Sequence, residues 1–323
     1  MKIAMICAVT VLSVTQLHGQ APVADYHQHL FSPEVAALIV PSTTESLGTP
    51  VRGISAADLI TLLDAAVIKR ALVLSVAYMW GSANRSVENE YEHVKAENDW
   101  TSRQVAEYPD RLRGFCSFNP LRPYAMTELE RCVADPHLHR GIKLHFGNSD
   151  VDLDNPQNVA DMRKVFRAAN EHRMAIVVHM HTSISKHRKY GADEARVFLN
   201  ELLPAASDVA VQIAHLAGAG GYDETTDSAM NVFTEALAKR DRRVRNVWFD
   251  VTTVVTPGIR SDIAQLVAKR IRQIGPGHVL YGSDAATGGN PPPREGWQAF
   301  RQLPLTEDEF RTIAGNIPPY MRW

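Results

Sequence analysis

The chain predicts an α/β fold, a single (β/α)8 barrel, on three observations. Eight short β-rich runs alternate with amphipathic helical patterns along residues 21–323. Several of those runs are continuously apolar, as strands covered on both faces of a parallel sheet must be. The long polar segments follow the strands, whereas the connections from helix back to strand are mostly shorter, and barrel sites are built on strand-to-helix loops. Composition agrees: 323 residues, 45% hydrophobic and 22% charged, exclude disorder, collagen-like repeats and coiled coil. A net charge of −2, from 34 basic and 36 acidic residues, supplies no field for nucleic acid. Three cysteines are too few for a disulfide scaffold.

The first element is not part of the barrel. Lys2 precedes an apolar stretch over 3–12, and polar and small residues follow through Gly19 and Gln20. This reads as a secretory signal peptide, residues 1–20, cut near 19–21; the other reading is an ordinary N-terminal strand or helix. The stretch is shorter than the roughly 20 residues of a membrane span, and no later segment is long and apolar enough. An exported protein, periplasmic or extracellular, is expected. Cys7 leaves with the leader. Cys116 and Cys132 either pair in an oxidising compartment or stay as two buried thiols.

The barrel strands are expected at 23–27, 71–77, 114–118, 141–146, 175–179, 210–215, 247–252 and 278–283. Between them, Ser55 caps a run carrying Leu59, Ile60, Leu62 and Leu63, and Ser86 opens a charged helix ending before Pro109. Thr127 and Glu130 form a capping box before Cys132 and Val133. Met162, Val165 and Phe166 share one face of a helix over 159–170, and helices over 193–203 and 226–238 follow. Pro257 opens a helix carrying Ile263, Leu266, Val267 and Ile271, and Thr306 caps the last one through Ile313. A doubly wound open sheet is the competing fold, but its Gly-rich phosphate turn is missing after the first strand, where Phe31, Ser32 and Pro33 stand. The glycines at 218, 220 and 221 alone are weak evidence for a nucleotide.

Ionisable groups close the apolar strands. His27 and His29 end the first as H-Q-H, on one face of a strand at i and i+2. Lys143 lies in G-I-K-L-H-F, His179 ends A-I-V-V-H, His215 ends V-Q-I-A-H-L and Asp284 ends Y-G-S-D. Each alone fits a core or ion-pair role. Together, buried in one barrel mouth, they are costly unless a cation is bound. Imidazole and carboxylate donors without thiolate suit Zn²⁺ first, then Mn²⁺ or Fe²⁺. Asp25 is placed to orient a ligand, and His145 and His181 either line the mouth or sit in loops. Lys186, His187, Arg188 and Lys189 form a basic run, Trp80, Tyr222 and Trp297 are loop aromatics that wall a ligand or pack the loops, and 41–53 is long enough for a lid.

Over nearly all of 25–321 the chain resembles the amidohydrolase superfamily of metal-dependent barrels, in its amidohydrolase-2 branch, which includes aminocarboxymuconate-semialdehyde decarboxylase-like enzymes. The phrases are D-Y-H-Q-H-L, Y-P-D-R-L-R-G-F from Tyr108, R-G-I-K-L-H-F, V-V-H, A-H-L-A-G, Y-G-S-D and the G-N-I at Gly315. The resemblance implies that His27, His29, His179 and Asp284 hold one metal ion and that His215 stands beside it as acid, base or electrophile. Lys143 then holds a substrate carboxylate or carbonyl. In a two-metal version Lys143 is carboxylated and bridges both ions, with His179 and His215 on the second. The expected function is an exported hydrolase that cleaves an amide, lactone or carboxyl ester of a small molecule with metal-activated water, Asp284 taking the proton. The alternatives are a metal-dependent non-oxidative decarboxylase of a small carboxylic acid, aromatic acids included, or a binding protein on a relict barrel. Symmetry priors allow a homodimer.

Overall fold

A computed structural model of the protein describes residues 20–39, 53–182, 188–285 and 290–322. The expected leader, except Gln20, and the segment 41–52 lie outside the described residues. Eight parallel strands run in chain order: β1 (Ala24–Gln28), β2 (Arg70–Leu74), β3 (Leu112–Ser117), β4 (Gly141–His145), β5 (Ala175–His179), β6 (Val211–Ile213), β7 (Val247–Asp250) and β8 (Val279–Leu280). Two backbone hydrogen bonds close the ring between its first and last members: Tyr26 N–H donates to Tyr281 O at 2.9 Å, and Asp284 N–H donates to His27 O at 2.9 Å. This is the (β/α)8 barrel that the alternation predicts. Among the described residues no helix is long and apolar enough to cross a membrane.

Two apolar layers hold it. The outer cluster joins the strands to the helices. The inner one, with Tyr26, Leu72, Leu74, Phe115, Val177 and Leu280, fills the barrel axis and is completed by Tyr320 and Met321 from the chain's end. β1 departs from regular pairing: Asp25 opposes Ala71 but Gln28 opposes Val73, so three steps on β1 match two on β2. Such a bulge re-aims side chains. It lets Tyr26 pack in the inner layer while His27 and His29 both open on the mouth of the barrel.

The capping signals hold at two helices. Ser55 and Asp58 form a capping box for Ala56–Ala65, and Thr306 and Glu309 form one for Glu307–Gly315. Three expected starts are corrected. The helix assigned to Thr127 begins at Ala125, because a turn held by Asn119 Oδ1 and Leu121 N–H (2.9 Å) feeds directly into it and leaves Thr127 inside the helix. The helix assigned to Ser86 runs Glu90–Ala106, after Asn89 in the left-handed region (φ 50°). The helix assigned to Pro257 is Ser261–Ile274, because Gly258 at φ 83° turns the chain first. A further helix, Pro293–Phe300, had no expectation attached to it.

Cys116 on β3 and Cys132 on Ala125–Ala134 are joined as a disulfide, with Cα atoms 6.1 Å apart and 16 residues of separation. A loop of that length constrains the unfolded chain by about 3 kcal/mol. Cys132→Ser is therefore expected to lose about 2–4 kcal/mol in urea denaturation without reductant. Unchanged stability would show that the bond carries none of the fold.

Candidate functional site

The C-terminal ends of the strands surround a cavity of about 410 Å³ that His27, His29, Lys143, His145, His179, His215 and Asp284 all line. A larger hollow of about 800 Å³ lies at the opposite end of the barrel, beside Ala175, Ala210 and Trp248. It does not contain the ligating cluster, so the smaller cavity is the site.

Three imidazoles are oriented alike. His27 Nδ1 donates to Asp250 Oδ2 (3.1 Å), His29 Nδ1 to the Leu74 carbonyl (2.7 Å) and His215 Nδ1 to the Thr252 carbonyl (2.8 Å). Each ring thereby keeps its lone pair at Nε2. Burial first, and the Lys143 charge in addition, lower the pKa of His27 to about 3; burial first and neighbouring cationic groups hold His29 and His179 well below the ordinary value. Neutral imidazole with a fixed tautomer is the form that ligates metal.

The ligand atoms of His27, His29 and Asp284 lie within 4.8 Å of one another, and Asp284 Oδ1 is 3.8 Å from His29 Nε2. That donor set, two neutral nitrogens and a carboxylate around one point, fits a divalent cation. His179 stands outside this tight group. Its ring stacks on His145, its register partner across β4 and β5 (centroids 4.1 Å apart), and approaches His215 edge-on at 4.8 Å. Among the described residues its buried Nε2 has no hydrogen-bond partner, an open donor atom of the kind a metal satisfies. Asp284 sits in the left-handed region (φ 53°), and burial pushes its carboxyl pKa up.

Lys143 rises from one layer lower, where β4 pairs Lys143 with Val177. It is 1% exposed, and its Nζ lies 3.3 Å from His27 Nε2. Among the described residues no carboxylate is within salt-bridge distance of it. Burial lowers its pKa, and Asp250 and Asp284 oppose that.

Asp250 is the site residue that sequence reasoning missed. It ends β7 at 0% exposure and accepts from His27 Nδ1, from Gln212 Nε2 (2.7 Å) and from His215 N–H (2.9 Å). Burial alone disfavours its charge, but the His27 and His215 contacts hold its pKa well below the usual carboxylate range. The signal was present: V-W-F-D closes an apolar strand with a carboxylate, the same feature that marks Asp284.

Asp25 acts on His27 through the backbone. It accepts from Ser283 Oγ (2.7 Å), Gln28 Nε2 (2.8 Å) and His27 N–H (3.2 Å), so it ties β1 to the end of β8 and holds the His27 backbone. His181 packs on Tyr190, Trp80 on His93, and Trp297 on Tyr281 and Phe300; Tyr222 bonds Asp227. These four do not line the cavity. Of the basic run, Arg188 pairs with Asp150 and Asp152 and Lys189 with Asp193, while Lys186 and His187 lie outside the described residues.

A family model described as amidohydrolase matches residues 24–316. No curated protein matches the chain by sequence. Among solved structures, 5-carboxyvanillate decarboxylase LigW from Sphingomonas paucimobilis is similar with a TM-score of 0.63 and 15% identity, over 92% of this chain and 97% of that one. A probable 2-pyrone-4,6-dicarboxylic acid hydrolase from Acinetobacter baumannii, with citric acid bound, gives 0.60 and 18%, over 90% and 96%. A dihydroxybenzoic acid decarboxylase from Polaromonas sp. JS666, with bound manganese and the inhibitor 2-nitroresorcinol, gives 0.55 and 15%, over 91% and 95%. At these identities the likeness speaks for the fold, and the family rests on the match over 24–316: the chain belongs to the amidohydrolase-2 family of enzymes.

Proposed function

We propose that this chain is an exported, metal-dependent enzyme that removes CO₂ from a small ring-bearing carboxylic acid without an oxidant. The observation that carries this reading is Lys143, a buried ammonium at the base of the cavity with no carboxylate at ion-pair distance among the described residues. A buried ammonium offset only by the more distant charges of Asp250 and Asp284 is costly, and an anionic group of the substrate offsets more of that cost. Every substrate of a decarboxylase carries such a group; the substrates of a hydrolase need not. Phe31, Val76, Tyr78 and Met79 supply an apolar wall against which a ring packs. Two of the similar structures are decarboxylases of aromatic acids, which supports the same choice.

In this reading His27, His29, His179 and Asp284 hold one divalent cation, with Zn²⁺ first on the donor set; the manganese of the Polaromonas enzyme keeps Mn²⁺ in view. The cation supplies Lewis acidity to the oxygen groups of the substrate. Lys143 binds the carboxylate as an ammonium, not as a carboxylated bridge between two ions. The bond from ring carbon to carboxyl breaks, its electron pair stays on the ring carbon, and His215 Nε2, once protonated from solvent, delivers a proton there. Asp250, next to the His215 backbone, supports that imidazolium.

Hydrolysis of a lactone or ester is the second reading, favoured by Asp284. Its carboxyl group lies at the cavity wall beside His29, where it can take a proton from water. Labelled substrates decide. With hydroxybenzoates and pyrone carboxylates ¹³C-labelled at the carboxyl group, in H₂¹⁸O, decarboxylation releases ¹³CO₂ and leaves the organic product free of ¹⁸O. Retained ¹³C with ¹⁸O in the product would establish hydrolysis instead. Lys143→Met is expected to raise KM for the acid about 10-fold to 100-fold, the worth of a charged hydrogen bond. An unchanged KM would remove Lys143 from substrate binding.

Export is part of the proposal. The signal pattern of residues 1–20 and the Cys116–Cys132 disulfide both suit an oxidising compartment. N-terminal sequencing of the mature protein, expected to begin near Ala21, tests it.

A further inference from the structure

The barrel axis contains a continuous polar chain through an otherwise apolar interior. Tyr320, in the short C-terminal turn Pro319–Met321, donates its hydroxyl to Gln212 Oε1. Gln212 Nε2 donates to Asp250 Oδ2 at 2.7 Å and to the Tyr26 carbonyl at 3.1 Å. Asp250 Oδ2 in turn accepts from His27 Nδ1 at 3.1 Å. Gln212 and Asp250 are fully buried, and Tyr320, 6% exposed, closes the chain at the hollow on the opposite end of the barrel.

Each link has one workable polarity. Asp250 and the Tyr26 carbonyl are both acceptors, so the Gln212 amide must present its nitrogen to them and its oxygen to Tyr320. A flipped amide would set oxygen against carboxylate and carbonyl, and would leave the Tyr320 hydroxyl facing NH₂. With Gln212 fixed, Asp250 Oδ2 is held where only a donor suits it, and His27 must carry its proton on Nδ1. That choice leaves the Nε2 lone pair directed into the cavity.

We infer that Tyr320 and Gln212 are positioning residues for the metal centre: from the far end of the barrel they hold, through Asp250, the orientation and tautomer of His27. The inference rests on the reading of His27 as a metal ligand. It gives the C-terminal turn a role beyond closing the barrel floor. In amidohydrolase terms, the ligand on the first strand is set by the last residues of the chain.

The test reads Co²⁺ binding, by chelator competition and by the visible ligand-field spectrum, in the full-length protein and in Tyr320→Phe. Partners one link beyond a metal ligand typically cost 10–100-fold in affinity, and Tyr320 stands two links further out, so a loss of about 3–10-fold with an altered spectrum is expected. In the Gln212→Met background, where the chain is broken, Tyr320→Phe is expected to change affinity by less than about 2-fold, the signature of coupled sites. Asp250→Ala serves as a second broken background if Gln212→Met does not fold. Unchanged Co²⁺ affinity and spectrum in Tyr320→Phe would overturn the inference, as would an undiminished effect in the broken background. Wild-type protein that binds no Co²⁺ would overturn the metal reading of His27 itself, a different and separately visible failure.

Discussion

His27→Ala is expected to abolish divalent-metal binding and catalysis together. His27 is the hub of the site: its Nε2 meets Lys143, its Nδ1 meets Asp250, and its ring lies 5.2 Å from that of His29 and 4.8 Å from that of His215. Removing the ring takes away one of the three groups whose donor atoms converge within 4.8 Å. It also leaves Asp250 buried with one donor fewer, and Lys143 without its contact. Removing a hydrogen-bond partner of a ligand alone costs about 10–100-fold in metal affinity, so loss of the ligand itself is expected to cost about 100-fold or more. Metal analysis of the purified variant against wild type, alongside turnover, checks this. A variant that retains stoichiometric metal and activity would remove His27 from the centre. His29→Ala is expected to behave alike; Asp250→Asn, which keeps the shape and loses the charge, should weaken binding by a smaller factor.

Gly282→Ala is expected to weaken the fold and the metal centre together. Gly282 follows β8 in Y-G-S-D, two residues before Asp284, and its Cα faces β1 and β7 at the closing seam of the barrel. A methyl group there would overlap the Thr252 hydroxyl and stand 2.7 Å from His27 Cβ. Neither neighbour has room to yield. Thr252 and His27 are buried, and the His27 backbone is tied to Asp25 and Asp284 by hydrogen bonds. Overpacking of this kind costs about 1–3 kcal/mol, and the upper end is expected because the seam cannot widen without breaking the hydrogen bond from Asp284 N–H to His27 O. Denaturant unfolding checks the loss. Metal affinity should fall with it, since the same shift displaces His27 and Asp284. Wild-type stability in this variant would mean that the seam is looser than its contacts imply.

Local patterns carried much of this protein. The strand runs, the H-x-H at the end of β1, the histidines at 179 and 215 and Asp284 after β8 were legible because each depends on a short stretch of sequence and its period. So were the capping boxes at Ser55 and Thr306, where side chain and backbone lie within one turn. The failures at Thr127 and Pro257 have a local cause that competed and won: an Asn119 turn upstream in one case, and a glycine in the left-handed region in the other. The pairing of Cys116 with Cys132 was open in the sequence and closed only by the approach of their Cα atoms.

Other features depend on contacts between residues far apart in the chain. Asp250 meets His27 across 223 positions, Tyr320 meets Gln212 across 108, and Asp25 meets Ser283 across 258. No window of sequence contains both members of these pairs. The bulge in β1 belongs here too, since it exists only as a mismatch between two paired strands, and it alone lets Tyr26 fill the core while His27 faces the cavity. The sequence by itself determined the barrel and most of the ionisable groups at its mouth, because strand period and the cost of burying charge act residue by residue. The tertiary structure alone decided which of those groups converge, which nitrogen each histidine offers, and that the chain's last turn supports its first strand. Hydrogen-bond polarity is set by partners, and closing the barrel is what makes them partners.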